Sequence, residues 1–550
     1  MLNDSFGGRR RMLIGSAGAA ALAALGAPAL AARAATEAPA TADVHIELEA
    51  VADQVSVRPG APTRVWRYRG RLLRGEAGAL EAPAGTFVGP IIRVRRGQRV
   101  RIELVNRLPE STIIHWHGLH VPEAMDGHPR FAIAPGERYV YDFTVANRAG
   151  SYWFHPHPHG RTGKQVYFGL AGLFLVSDEE EARLGLPTGA YDLPLIIQDR
   201  NFDADNQLVY LSGGVIGEAA SAPRGPGMMG GGMMGGMMGG SRGGMMGGMG
   251  AMMAGMMGVL GEQILVNGRP DAGIEVARRP HRLRLFNGSN TRMYKLAWSD
   301  RSPLTVIGTD GGLLAAPLQR DYVMLAPAER IDLWVDFARW PGGPELSLRS
   351  LAFEGGMDMG GMMGQTALRD GAPFTVLKLR VARGGEARAR LPAKLADVPP
   401  PDPVLAVNAD HPKVFRLTMG MMTWGINDHG FDMLGASELE TVKLGTHEVW
   451  EFRNDASSGM MGMTMPHSMH VHGVQFRVIG RSIARRFERD RDTVKAGLVD
   501  EGWKDTVLAM PGERVRVLLH FADYTGLFLY HCHMLEHEDS GLMRNYLVKA

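Results

Sequence analysis

Short runs of alternating apolar and polar residues recur along this chain, and helical spacing is rare. Three of them are Tyr139 to Phe143 (YVYDF), Ile331 to Val335 (IDLWV) and Val515 to Leu519 (VRVLL). Period-two alternation puts successive side chains on opposite faces of an extended strand. Each run directly follows one kind of turn: Pro135-Gly136-Glu137-Arg138, Pro327-Ala328-Glu329-Arg330 and Pro511-Gly512-Glu513-Arg514. Upstream of each turn lies a strand pattern ending in asparagine, from Arg99 to Asn106, His281 to Asn287 and His447 to Asn454. The chain therefore reads as three copies of one strand-rich unit with Gly/Pro turns. The fold class is all-β, a series of β-sandwiches.

The expected limits are 43–182 for the first unit, 190–381 for the second and 413–550 for the third. A Pro- and Ala-rich linker covers 382–412. The second unit carries two insertions of little but glycine and methionine, at 223–258 and 355–364; such composition is flexible in isolation. His155 lies 20 residues after Pro135, and His531 lies 20 after Pro511. Histidine clusters thus occupy equivalent places in the first and third units, and the middle one has none. This spacing puts a metal site where the end units meet, with the middle unit as a spacer.

Length fits about three domains at the usual ~100–200 residues each. With 45% hydrophobic and 21% charged residues, the body is that of an ordinary globular protein. The formal net charge is +2. Residues 1–34 hold four arginines (Arg9, Arg10, Arg11, Arg33) and one aspartate (Asp4), so the remainder carries −1. Nothing in that balance calls for nucleic acid or an acidic membrane surface. Arg9-Arg10-Arg11 precedes a weakly apolar Ala-rich run and a small-x-small site at Ala32-Arg33-Ala34, the pattern of a cleaved twin-arginine export signal. The expected route is the twin-arginine machinery and the expected location is the periplasm, as a monomer.

Cys532 is the only cysteine, so no disulfide can form within the chain. It stands between His531 and His533, with His537 five residues on. On a strand, the sulfur points one way and the two imidazoles the other. Four His-x-His pairs occur: His115/His117, His155/His157, His470/His472 and His531/His533. Each pair shares a strand face, so both rings can reach one site. Imidazole suits several metals. The set His467, Cys532 and His537, two nitrogens and one thiolate, selects copper in a trigonal electron-transfer site.

The segments His115-Trp116-His117-Gly118, Trp153 to His157, His467 to Gly473 and His531 to Gly541 together resemble the multicopper oxidases, over nearly all of the chain beyond residue 34. The resemblance is strongest to bacterial periplasmic copper-efflux (cuprous) oxidases and bacterial laccases. It implies three consecutive cupredoxin-like Greek-key β-sandwich domains and four copper ions. The type 1 copper would take His467, Cys532 and His537. The type 2 copper would take His115 and His470. The type 3 pair would take His117, His155, His157, His472, His531 and His533. His159 stays outside the ligand set. The third motif departs from the usual His-Pro order, because Pro466 precedes His467. The axial position, often Met in the efflux oxidases, is Leu542; Met543 should point the other way. A non-coordinating Leu542 should favour Cu(I) and raise the type 1 potential.

The implied reaction takes electrons singly from a substrate and reduces dioxygen to water. It consumes protons, so carboxyl groups are needed nearby; the resemblance points to Asp126, and Glu538, next to His537, is the second candidate. Thioethers select Cu(I), and Met460, Met461, Met463, Met465 and Met469 surround His467. Together with Met419, in Leu417-Thr418-Met419, the residues Met461, Met463 and Met465 form the expected substrate-copper site. The expected activity is oxidation of Cu(I) to Cu(II) in copper tolerance, with laccase-type oxidation of phenols and aromatic amines as the alternative. A copper-storage protein or a metal-free structural relative would leave the complete ligand set without a use.

Overall fold

The repeated turn has a single structural cause in all three copies. The strand-ending asparagine side chain donates to two backbone carbonyls: Asn106 to Glu110 and Ile133, Asn287 to Arg292 and Leu325, Asn454 to Met465 and Ala509. Its own carbonyl receives the second residue of the turn, Gly136, Ala328 or Gly512. The turn glutamate then accepts the amide three residues back, from Ala134, Ala326 or Met510. This geometry forces the second turn residue to a positive φ, 87° at Gly136, 72° at Gly512 and 70° at Ala328. Glycine adopts it without strain; alanine does not.

The computed structural model describes residues 41–210, 257–356, 368–420, 423–455 and 464–550, apart from 344, 385, 386 and 388. The expected leader at 1–34, most of both Met/Gly insertions, and Met460, Met461 and Met463 lie outside the described residues. Six sheets form three sandwiches. In the first, the strands Thr63–Arg74, Val44–Val55, Arg99–Arg107 and Arg138–Thr144 make one sheet. The other runs Leu80–Glu81, Ile91–Arg95, Gly172–Ser177, Gly150–Pro156, Ile114–His117. Their apolar faces share one core, with Ile46, Leu48 and Ile102 from one sheet and Ile92, Trp116 and Phe174 from the other. Sequence-distant strands run parallel as neighbours, as in Val44–Val55 beside Arg99–Arg107; that pairing requires the chain to cross between sheets.

The second sandwich packs a seven-stranded sheet against a five-stranded one around Leu283, Leu296, Leu333 and Leu348. The third pairs two five-stranded sheets around Phe415, Trp450, Val517 and Tyr530. Trp450 is fully buried; Trp450→Ala would cost about 3–5 kcal/mol. The stretch expected as a linker is pinned to the second sandwich, where Leu395 and Ala396 pack on Ile307, Leu313 and Trp334. No helix among the described residues is long and apolar enough to cross a membrane.

Candidate metal centre

Two antiparallel strand pairs carry the histidines. In the first sandwich Ile114–His117 pairs with Gly150–Pro156, setting His115 opposite His155. In the third, His467–Val471 pairs with Gly526–Cys532, setting His470 opposite His531 and Met469 opposite Cys532. Strand alternation puts His117, His157, His472 and His533 on the same faces as these. The two faces meet, and eight imidazoles from four His-x-His pairs converge, each at most 1% exposed. His117 stacks on His470 with ring centres 3.7 Å apart, and His115 stacks on His472 at 3.6 Å.

Most of these rings have one nitrogen committed outward. His115 Nδ1 lies 2.7 Å from the Asp126 carbonyl, His470 Nδ1 2.7 Å from the Asp505 carbonyl, and His472 Nδ1 2.8 Å from the Asp126 carboxylate. His155 and His531 use backbone carbonyls. His117 is turned the other way, with Nε2 against Asp505 Oδ1 and Thr506 Oγ1, both at 3.1 Å. Burial holds the imidazoles of His117, His155, His157, His470, His472 and His533 well below their usual range, and that of His531 at about 3, so they are neutral.

A neutral imidazole with its N–H committed turns a lone pair inward. The inward nitrogens approach one another at 3.0–3.4 Å, as in His472 Nε2 to His531 Nε2 and His117 Nδ1 to His155 Nε2. Lone pairs at such distances repel unless a cation lies between them, and outward hydrogen bonds of this kind are how metal-ligating histidines are oriented. Three clusters have mutually close donor atoms: His117/His155/His533, His157/His472/His531, and His115/His470 with His117 beside them. The donor set fits metal ions. His159 joins no such cluster among the described residues; its ring packs on Phe431.

On the far side of the same strand lies a second constellation. Cys532 Sγ is 3.5 Å from His467 Nδ1 and 3.6 Å from His537 Nδ1. A short helix, Leu535–Asp539, turns His537 back toward the sulfur. Burial pushes the thiol up to about 12, so this cysteine becomes a thiolate only with a cation beside it. Leu542 is fully buried in the same apolar cluster, and its carbonyl accepts from Cys532 N at 3.0 Å. Met543 pairs with His531, so it shares the face opposite Cys532. Met419 and Met465 are buried in that cluster too.

Both carboxylates named from the sequence touch histidines. Asp126 contacts His472 and His115. Glu538 Oε2 lies 3.3 Å from His531 Nδ1 and Oε1 3.6 Å from His157 Nε2. Burial first, then the neighbouring Asp539 and Glu536, raise the Glu538 carboxyl well above the usual carboxylate range.

Two groups carry no signal in the sequence pattern, and a third carries only a hint. Trp424 lies with its ring centre 4.6 Å from that of His537 and 5.0 Å from that of His467. Asp505 holds His117 and His470. The middle sandwich, expected to be a spacer, reaches both constellations. Its Arg330 grips Asp505, Pro327 accepts from Ser468, and Asn290 and Thr291 donate to Glu536 beside His537. Only the Pro-x-Glu-Arg repeat hints at this, by placing an arginine at 330.

Two family profiles described as multicopper oxidase match residues 72–181 and 406–550. The laccase of Bacillus stratosphericus is 30% identical over 529 residues, covering 88% of this chain and 90% of that protein. The McoA multicopper oxidase of the hyperthermophile Aquifex aeolicus superposes with a TM-score of 0.71 at 32% identity, covering 93% of this chain and 97% of that one. CueO of Ochrobactrum sp., described as a laccase-like multi-copper oxidase with activity towards lignin model compounds and lignosulfonate, gives 0.68 at 26% identity, covering 92% and 97%.

Proposed function

Because this chain belongs to the multicopper oxidases, oxidoreductases with one type 1, one type 2 and a binuclear type 3 copper site, we propose that its reducing substrate is Cu(I) and its role copper tolerance. The type 1 ion would be held by His467, Cys532 and His537, the type 2 ion by His115 and His470. The type 3 pair would be held by His117, His155 and His533 and by His157, His472 and His531. When bound, these coppers supply one-electron acceptance at the first site and four-electron reduction of dioxygen to water at the others. The chain's own part is to orient and to supply protons. His531-Cys532-His533 joins the two constellations through two peptide bonds. Asp126 orients His115 and His472, and Glu538, neutral through burial, holds a proton beside His157 and His531.

One observation carries the choice of substrate. The described residues that flank the segment containing the long Met/Gly insertion, Tyr210 on one side and Met257 to Val259 on the other, stand at the helix bearing His537. Tyr210 donates to Glu536 Oε1 at 3.0 Å, and Val259 N lies 3.3 Å from Glu536 Oε2. The backbone of Met257 lies against the His537 imidazole. Tyr210 and Met257, the described residues on either side of 211–256, thus both stand at the proposed type 1 site, where thioethers favour Cu(I). Met419 and Met465 add thioethers from the fold itself. Laccase-type oxidation of phenols is the second reading, supported by the Bacillus laccase and the Ochrobactrum enzyme. In either case the leader at 1–34 would send the protein to the periplasm through the twin-arginine route.

The test is oxygen uptake by copper-loaded protein with Cu(I) or a simple phenol, before and after deletion of residues 225–255. The expected result is faster uptake with Cu(I), above its own auto-oxidation, and a shift toward the phenol on deletion. Faster uptake with the phenol in the intact chain would make it a laccase.

A further inference from the structure

We infer that Arg330, a residue of the middle sandwich, fixes which nitrogen His117 presents to the copper cluster, acting through Asp505. Arg330 is 1% exposed in its side chain, and all five of its N–H donors have acceptors. Nε donates to the Ser151 carbonyl at 3.0 Å in the first sandwich. Nη1 donates to the Ala328 carbonyl at 3.0 Å and Nη2 to the Asp310 carbonyl at 3.0 Å, both in the second. The remaining two clasp the Asp505 carboxylate of the third, at 2.6 and 2.5 Å. One side chain thus ties all three sandwiches together beside the histidine cluster.

The repeat supplies an internal control. At the equivalent turn positions Arg138 and Arg514 are 48% and 47% exposed and pair with surface carboxylates. The turn needs no buried arginine; only the middle copy turns it inward. That copy also places Ala328, at φ 70°, where the others use glycine. Strain of this kind persists where the surroundings over-determine the backbone, and here the Ala328 carbonyl is one of the five acceptors.

The consequence falls on His117. His115, His155, His470, His472 and His531 commit Nδ1 outward, whereas His117 commits Nε2 and turns Nδ1 toward His155. Asp505 causes the difference: its Oδ1 accepts at Nε2 and fixes the proton there, and Thr506 Oγ1, also 3.1 Å from Nε2, itself donates to that Oδ1 at 2.9 Å. A carboxylate can do this only if its plane is held, and Arg330 is the bidentate group that holds it. Gly118, next to His117 at φ 84°, leaves the room: a Cβ there would meet Asp505 Oδ2 at 2.4 Å and Arg330 Nη2 at 3.0 Å. The inference is independent of whether the substrate is Cu(I) or a phenol.

The experiment compares copper-loaded wild type, Arg330→Met, Arg330→Lys and Asp505→Asn. Copper retained after dialysis against a chelator is measured with the blue absorption and the electron paramagnetic resonance spectrum. Arg330→Met should retain the blue band, hold copper in the histidine cluster roughly 10–100-fold more weakly, the range for groups that orient metal ligands, and show an altered cluster spectrum. Arg330→Lys should recover part of this, since an ammonium can hold one carboxylate oxygen. Asp505→Asn, close in shape, should follow Arg330→Met and carries the test if that variant does not fold. Full copper with an unchanged cluster spectrum in the variants would overturn the inference. So would loss of the blue band in step with the cluster, which would mark a general structural role.

Discussion

The Asp126 carboxylate of the first sandwich accepts from His472 Nδ1 of the third at 2.8 Å, while the Asp126 backbone carbonyl takes His115 Nδ1 at 2.7 Å. One residue thereby orients two imidazoles from different sandwiches. Asp126→Asn keeps an acceptor but removes the charge. Oxygen reduction should slow by about tenfold or more while the blue colour persists, because His467, Cys532 and His537 are untouched. Stopped-flow reoxidation checks this; loss of colour would assign Asp126 a structural role instead.

Glu538 sits between His157 and His531 with its carboxyl held neutral by burial. Replacing it with glutamine preserves shape and removes the transferable proton. Oxygen reduction in Glu538→Gln should fall by about 10²-fold or more, with copper content unchanged. Equal rates in the two proteins would take the proton role away from this residue.

Leu542 offers no donor atom to the proposed type 1 site. A thioether there would stabilise Cu(II) relative to a hydrocarbon, so Leu542→Met should lower the type 1 reduction potential. Spectroelectrochemical titration measures it directly, and an unchanged potential would show that Leu542 is not axial.

Trp424 covers the imidazoles of His467 and His537, the proposed type 1 ligands, from one side. Its replacement by alanine should cost about 3–5 kcal/mol of stability and raise kcat/KM for a phenol relative to Cu(I). A ratio that stays constant would mean that the indole does not restrict access.

Asp332 is a buried carboxylate clasped by two arginines of its own sheet in the middle sandwich. Burial alone would raise the Asp332 carboxyl, but Arg282 and Arg284 outweigh it and hold it below its usual value. Such a group contributes stability that is fully present above its unfolded value, about 4, and lost as pH falls through the lower folded value. Denaturant unfolding of wild type should therefore weaken with acid below about pH 4, and Asp332→Asn should weaken less steeply. Parallel slopes would remove Asp332 from the acid response.

Strand alternation makes the metal centre legible in the order of residues alone. With period two, His-x-His can only mean two rings on one face, and a cysteine between histidines must face the other way. The three-fold repeat is equally open, because the asparagine, the positive-φ residue and the glutamate belong to one local hydrogen-bonded turn. Local chemistry determines those features, so sequence is enough. Asp505 and Trp424 lie on no such pattern, and the repeat that places Arg330 does not tell that it turns inward. Asp505 is 388 residues from His117 and 175 from Arg330 in sequence, and only the docking of three sandwiches brings them together. The sequence by itself determined which side chains could bind metal; the tertiary structure decided which nitrogen His117 presents and how His472 is held, because their hydrogen-bond partners, Asp505 and Asp126, come from other sandwiches.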